Sequence, residues 1–300
     1  RIHFLTGDES FRILIKMNDD IIRYERFDLY NQSGNRIHGD IRYKSTLKEK
    51  PVVVICHSFM AFKDWGFFPV IGEWFAKSGF IALTFNYSHD GVEGDNDRIT
   101  GFEKFERNTF FKEIEDTRVI VDAISDGVVG AGIIDRSKIV LLGHFRGGGI
   151  ALIHAADDER IKALMTWSAI SRFDRWTHHQ KAQWRKLGYL PLARDSTISP
   201  LRLGKGLLED IEVNQSRLDL LKTANRLRIP WLIMHGKADV TVPCQEAESL
   251  YLTSNQSTTE LMLLEKVGHL YNASTKDEDN YQTLNIIFDI TLNWLQTKIK

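Results

Sequence analysis

The sequence has little of what would place it in several large functional classes. Two cysteines in 300 residues, Cys56 inside an apolar run and Cys244 after a proline, make no disulfide framework. Both are read as buried spectator thiols, which suits a reducing compartment such as the cytoplasm. No apolar run approaches the roughly 20 residues that a bilayer-spanning helix needs, so no membrane association is expected. Charge of one sign is also missing: 39 Lys and Arg stand against 40 Asp and Glu, for a net charge of −1. With no long block of like charge, neither nucleic acid nor an anionic membrane has an electrostatic claim, and a small, nearly neutral partner fits better. His178 and His179 have no companion cluster at ligand spacing, so no metal is expected. Gly147, Gly148 and Gly149 precede no Lys-Ser/Thr, which removes the phosphate-loop reading and leaves close packing of helix on strand. No cofactor is implied, and internal repeats and low-complexity tracts are absent. The triplets at Asn86 and Asn272 match a glycosylation signal too short to carry weight, and a start at Arg1 rather than methionine leaves a removed leader open.

What the chain does have is core. At 43% hydrophobic residues it can bury the interior of one α/β domain carrying one insertion. The first 50 residues alternate polar and apolar in short pieces around a Ser33-Gly34-Asn35 turn, the pattern of antiparallel strands. Six apolar runs follow: PVVVIC (51–56), FIALTFNY (80–87), KIVLLG (138–143), IKALMTW (161–167), IPWLIMHG (229–236) and TELMLLE (259–265). Segments of helical period separate most of them, at about 65–78, 103–126, 147–157, 243–253 and 280–298. Such alternation predicts an α/β fold with a mostly parallel central sheet, helices on both faces, and ligands at the carboxyl ends of the strands. The stretch 171–228, rich in Trp, Arg, Lys and Leu, breaks the rhythm and is expected to be an inserted helical cap on a core of 1–170 and 229–300.

The most informative stretch is VLLGHFRGGGIAL (140–152), an apolar strand running through a glycine-rich turn into a helix. Together with VICHSFMAFKDWGFFP (54–69), the segment 168–189, MHGKADVTVP (234–243) and VGHLY (267–271), it resembles the α/β-hydrolases, in particular a bacterial group of dienelactone hydrolases and small acyl esterases. The resemblance covers nearly the whole chain from about residue 20 and implies acyl hydrolysis by a Ser, Asp, His triad in that order. It implies Asp239 as the acid that orients the imidazole and His269 as the base. The expected nucleophile position holds Phe145, which has no atom to lose a proton and form an acyl intermediate. A bulky residue at such a turn either relaxes it or is held there by packing, and the ring is expected to point toward His269 and fill the space of the hydroxyl and acyl group.

The second departure from the family pattern is His57-Ser58-Phe59, where His-Gly-Phe is usual. The resemblance implies that the backbone N–H groups of Phe59 and Arg146 receive the oxyanion. Ser58 is taken as a residue of the ligand space and, less favourably, as a displaced nucleophile; Ser168 and Ser171 stand with it in that second role. His144 is expected to pack beneath the turn. Trp176, Trp184 and Tyr189 are read either as cap packing or as the roof of the ligand, with Trp176 and Trp184 assigned to the ligand space. Arg175, Lys181, Arg185 and Lys186 read as a solvated helix face.

These residues leave four functions open. The favoured one is a hydrolase relative that has lost hydrolysis and binds a small acyl ester or similar ligand. The alternative is a serine esterase in which Phe145 is a variant of the native serine. A third is general-base chemistry by Asp239 and His269 alone, and a fourth a protein-interaction role, which would need an exposed apolar patch.

Overall fold

A computed structural model describes residues 21–45, 48–94, 96–192, 201–273 and 282–299. Strands β1 (Ile22–Tyr30), β2 (Arg36–Lys44), β3 (Lys50–Cys56), β4 (Ile81–Phe85), β5 (Ile134–His144), β6 (Ile161–Trp167), β9 (Trp231–Gly236) and β10 (Thr259–Leu264) form one eight-stranded sheet in the order β1-β2-β4-β3-β5-β6-β9-β10. β1 pairs with β2, and β2 with β4, antiparallel; every other pair is parallel. The expected antiparallel start and mostly parallel sheet are both present, and Gly34 takes the left-handed conformation (φ 73°) in the predicted turn.

The near-continuous apolar runs are explained by two cores. Side chains of a strand alternate between faces, so Val52 and Val54 enter one core while Val53 and Ile55 enter the other. Helices α1 (Phe68–Lys77) and α9 (Gln282–Lys298) cover the second core through Phe68, Ile71 and Phe75 and through Leu284, Ile287 and Phe288. Helices α3 (Phe110–Ser125), α4 (Arg146–Asp157) and α8 (Gln245–Thr253) cover the first through residues such as Ile114, Ile150 and Leu250. A strand with water on neither face has little room for polar residues, which is why β3 and β9 read as near-continuous apolar runs.

Two expectations need correction. The single helix predicted over 103–126 is two, α2 (Phe102–Glu106) and α3. Thr109 sits between them in extended conformation and its hydroxyl accepts from the Lys112 N–H at 3.2 Å, a side-chain cap that starts a new helix. The stretch 171–228 is not wholly a helical lid. It contains α5 (His178–Leu187), a hairpin of β7 (Tyr189–Pro191) and β8 (Arg202–Gly204), and α6 (Lys205–Val213). Its last helix, α7 (Leu220–Arg226), packs on α4 and α8 of the core, at the place of the crossover between β6 and β9.

Candidate active site

The carboxyl ends of β3, β5, β6, β9 and β10 lead into the segments that carry Phe59, Phe145, Ser168, Asp239 and His269. β5 ends at His144 and α4 starts at Arg146, so one residue makes the reversal. Phe145 has φ 54° and ψ −117°, a sparsely populated conformation that costs a bulky residue about 1–3 kcal/mol. The turn has therefore kept its strain. Its neighbours enforce it: a Cβ on Gly143 would lie 2.3 Å from the Gly147 carbonyl oxygen, and one on Gly147 would lie 2.4 Å from the carbonyl oxygens of Cys56 and His57. The glycines at 143 and 147 bring α4 against β5 and β3, as the close-packing reading requires. The half-buried Phe145 ring packs against the edge of the first core and meets His269 edge to face, with centroids 5.0 Å apart and planes at 90°.

Asp239 and His269 are brought together. His269 Nδ1–H donates to Asp239 Oδ2 at 2.7 Å, which fixes the tautomer and leaves Nε2 as the basic nitrogen. The other carboxylate oxygen accepts the N–H groups of Thr241 at 2.9 Å and Val242 at 2.8 Å, and His235 Nε2 lies 3.2 Å from Oδ2. Burial works to raise the Asp239 pKa, but the hydrogen bonds from His235, His269 and the Val242 N–H outweigh it and hold the carboxyl well below its usual range. The acid is thus charged and immobile beside the imidazole.

The peptide groups on either side are oriented by their carbonyls. His57 Nδ1–H donates to the Ser58 carbonyl at 2.9 Å, and the Ala61 N–H to the same oxygen at 3.2 Å. Because the peptide is planar and trans, the Phe59 N–H points the opposite way. Likewise the Phe145 carbonyl accepts from Gly148 N–H at 3.2 Å and Ile170 N–H at 3.4 Å, which turns the Arg146 N–H out of the first turn of α4. Among the described residues neither amide has an acceptor. The Arg146 side chain leaves the site altogether. Its guanidinium is paired with Glu113 through Nε to Oε2 and Nη2 to Oε1, both at 2.9 Å, and lies over the rings of Phe59 and Phe110 at 5.1 and 4.3 Å.

Ser58 departs from its expected place on the ligand space. Its hydroxyl donates to His144 Nδ1, whose Nε2–H donates in turn to the His269 carbonyl at 3.0 Å. Both side chains are buried, since a serine in this loop finds the histidine of the elbow before it finds solvent. Burial, reinforced by the nearby His269, pushes the His144 imidazole down to about 3, which makes it a poor base for Ser58. A consequence follows for acid stability. The unfolded His144 takes up a proton near pH 6.5 and the folded one only near 3, so its contribution is complete above pH 6.5 and is lost as pH falls toward 3. We expect the native stability advantage over His144→Gln, from urea unfolding, to shrink by up to about 1.4 kcal/mol per pH unit across that window. An advantage that does not change between pH 7 and pH 4 would refute the buried neutral state.

Ser168 and Ser171 are also committed elsewhere. Ser168 donates to the Tyr271 hydroxyl at 3.1 Å, and Tyr271 to the Met234 carbonyl at 3.0 Å, which ties the loop after His269 to β6 and β9. Ser171 N–H and Oγ both reach Glu246 Oε2, at 2.7 and 3.2 Å. Arg175, expected on a solvated face, pairs with the same Glu246, Lys181 with Asp174 and Arg185 with Glu212; Lys186 is exposed. Trp184 is fully buried against Trp176, with centroids 5.3 Å apart, so it belongs to the interior of the inserted segment while Trp176 is half-buried. Tyr189 is half-buried with Arg202 over its ring at 4.4 Å. Sequence reasoning missed Glu113, His235, Tyr271 and Glu246. Only Glu113 left a signal, as an acid on the apolar stripe of Phe110, Ile114 and Thr117.

The fold is that of the α/β-hydrolases. Residues 41–184 match the model of the dienelactone hydrolase family, and no curated protein matches the chain. Among solved structures, the esterase domain of a Rhodothermus marinus protein is 20% identical with a TM-score of 0.63, over 93% of this chain and 100% of that one. The α/β-hydrolase GrgF from a Penicillium species is 16% identical with a TM-score of 0.69, over 92% and 99%. An esterase from Pyrococcus furiosus is 16% identical with a TM-score of 0.61, over 93% and 94%. At these identities the likeness is one of fold. Among the described residues no helix is long and apolar enough to cross a membrane, and no three His, Cys, Asp or Glu side chains form a metal-holding group.

Proposed function

We propose that this chain is an acyl-hydrolase relative that has lost ester hydrolysis at one position and keeps a site for a small acyl ester or similar carbonyl ligand. The observation that carries the reading is the Phe145 ring lying against His269 at 5.0 Å, on a turn that has kept its strained conformation. An acyl-enzyme needs an ionisable nucleophile in hydrogen-bond reach of the base, and a phenyl ring supplies none. Everything the serine would use is otherwise retained: the charged Asp239, the oriented His269 and two free amides. The ligand is a small molecule, not a nucleic acid or a membrane, in keeping with the balanced charge, and the free thiols Cys56 and Cys244 suit the cytoplasm.

A second reading is favoured by the same turn. Strain of this kind persists where it serves a reaction, and it supports a serine esterase lineage in which phenylalanine is a variant of the native residue. One experiment tests both. The native chain, Phe145→Ser, and Phe145→Ser with His269→Ala are assayed on short and medium acyl p-nitrophenyl esters. Turnover confined to the first variant supports the reading. Substantial His269-dependent turnover by the native chain would overturn the loss of hydrolysis, and a silent Phe145→Ser variant would overturn the retained site.

A further inference from the structure

Resting on the reading that the site is retained, we infer that the native chain, without any nucleophile, catalyses proton transfer at the carbon next to the carbonyl of a small, uncharged, enolisable ketone. The reasoning starts from what remains when acyl transfer is removed. His269 Nε2 is an oriented base whose Nδ1 is occupied by Asp239, and it has no hydrogen-bond partner among the described residues. The Arg146 N–H stands one residue from the ring that touches His269, at the start of the 12-residue helix α4, where backbone donors and the helix dipole favour a negative oxygen. The Phe59 N–H is likewise an unbonded donor, its peptide held by the lock on the Ser58 carbonyl.

A base and two unbonded donors with no nucleophile lack what ester cleavage needs but are the groups that enolisation uses. The imidazole takes the α-proton, and the C–H electron pair becomes the C=C bond. The carbonyl π pair moves onto the oxygen held by the two amides, and the imidazolium then returns a proton to carbon. Nothing is oxidised, reduced or expelled, so no co-reactant is needed. The half-buried Phe145 and Phe59 rings give the site apolar walls, and the guanidinium of Arg146 is already neutralised by Glu113. This selects a ketone without charge over a carboxylate. A ketone also has no acyl leaving group, so its reaction cannot be mistaken for residual hydrolysis.

The test is the loss of α-proton signal from cyclohexanone and phenylacetone in D2O, followed by NMR with the native chain, His269→Ala and Asp239→Asn. General-base catalysis contributes about 10²- to 10⁴-fold, so native exchange should exceed that of His269→Ala by at least about 10²-fold. Asp239→Asn, which removes the charged partner of the imidazole, should be slowed as well. Circular dichroism verifies that both variants fold, and Asp239→Asn decides the matter if His269→Ala does not. Native exchange equal to that of the folded variants would overturn the inference. If it fails while Phe145→Ser gains esterase activity, the retained site stands and only the proton-transfer role falls. If exchange is present and Phe145→Ser is silent, the hydrolytic ancestry of the site falls instead.

Discussion

Phe145→Ser is expected to raise ester turnover by at least about 10³-fold over the native chain. The ceiling is set by what a triad serine contributes, on the order of 10⁶-fold in turnover, while the remaining donors and binding groups supply roughly 10³ to 10⁴ over water by themselves. The reason to expect much of that gain in one step is geometric. A new serine inherits φ 54° and ψ −117° from a turn fixed by Gly143 and Gly147, and so need not reorganise the backbone. Its base already has the right tautomer through the 2.7 Å bond to Asp239, and the Phe59 and Arg146 amides are unbonded. Loss of the half-buried ring should cost about 1–2 kcal/mol of stability through lost apolar burial, too little to unfold the domain. Ser58 is the one feature that could lower the gain, because its hydroxyl ties the oxyanion loop to His144 where the family usually has glycine. A Phe145→Ser, Ser58→Gly double variant that exceeds Phe145→Ser would locate the deficit there. A gain below about tenfold in both would mean that the base and donors do not work together.

Much of this site was legible because its signals are local. Positions 138 to 149 could be read as a strand, a turn and a helix from an apolar run followed by glycines, and the resemblance to the α/β-hydrolases implied Asp239 and His269. Between a relaxed turn and one held by packing the sequence did not choose; the turn keeps its conformation because the strain belongs to it and not to the residue in it. What the sequence did not disclose depends on meetings between distant segments. Ser58 was placed on the ligand space because its loop was known to border it, but the partner that captures its hydroxyl is His144, 86 residues away. Glu246 lies 75 residues from Ser171, and no periodicity connects them. The inserted segment was the least legible part. Trp, Arg and Leu mark a helical surface without saying which elements it covers, so Leu220–Arg226 was grouped with the lid although it packs on the core.

Glu113→Ala is expected to be the most destabilising single change near the site, by about 3–5 kcal/mol, because it strands a cation rather than merely removing a contact. Glu113 and Arg146 are 4% and 5% exposed, so no water replaces the lost carboxylate. The Asn108 Nδ2–H, which donates to Glu113 Oε1 at 2.7 Å, loses its acceptor in the same step. For a domain of this size, a loss of that order lowers Tm by roughly 10 °C. Cation–π contacts with Phe59 and Phe110, each worth about 0.5–2 kcal/mol, are present in both proteins and so do not offset the loss. The double variant Glu113→Leu, Arg146→Met separates the stranded charge from the packing. Replacing both members of a buried pair by apolar groups of similar volume is often neutral, so the double variant should recover most of the stability lost by Glu113→Ala. Losses that simply add, or a cost below about 1 kcal/mol for Glu113→Ala, would show that the pair is solvated. Recovery of stability need not restore the site. Arg146 supplies one amide and its guanidinium lies over the ring of Phe59, which supplies the other, so the side-chain packing that the ion pair holds is expected to bear on the two donors. In a Phe145→Ser background, the stable double variant should therefore lose kcat with little change in KM, which a purely structural pair would not do.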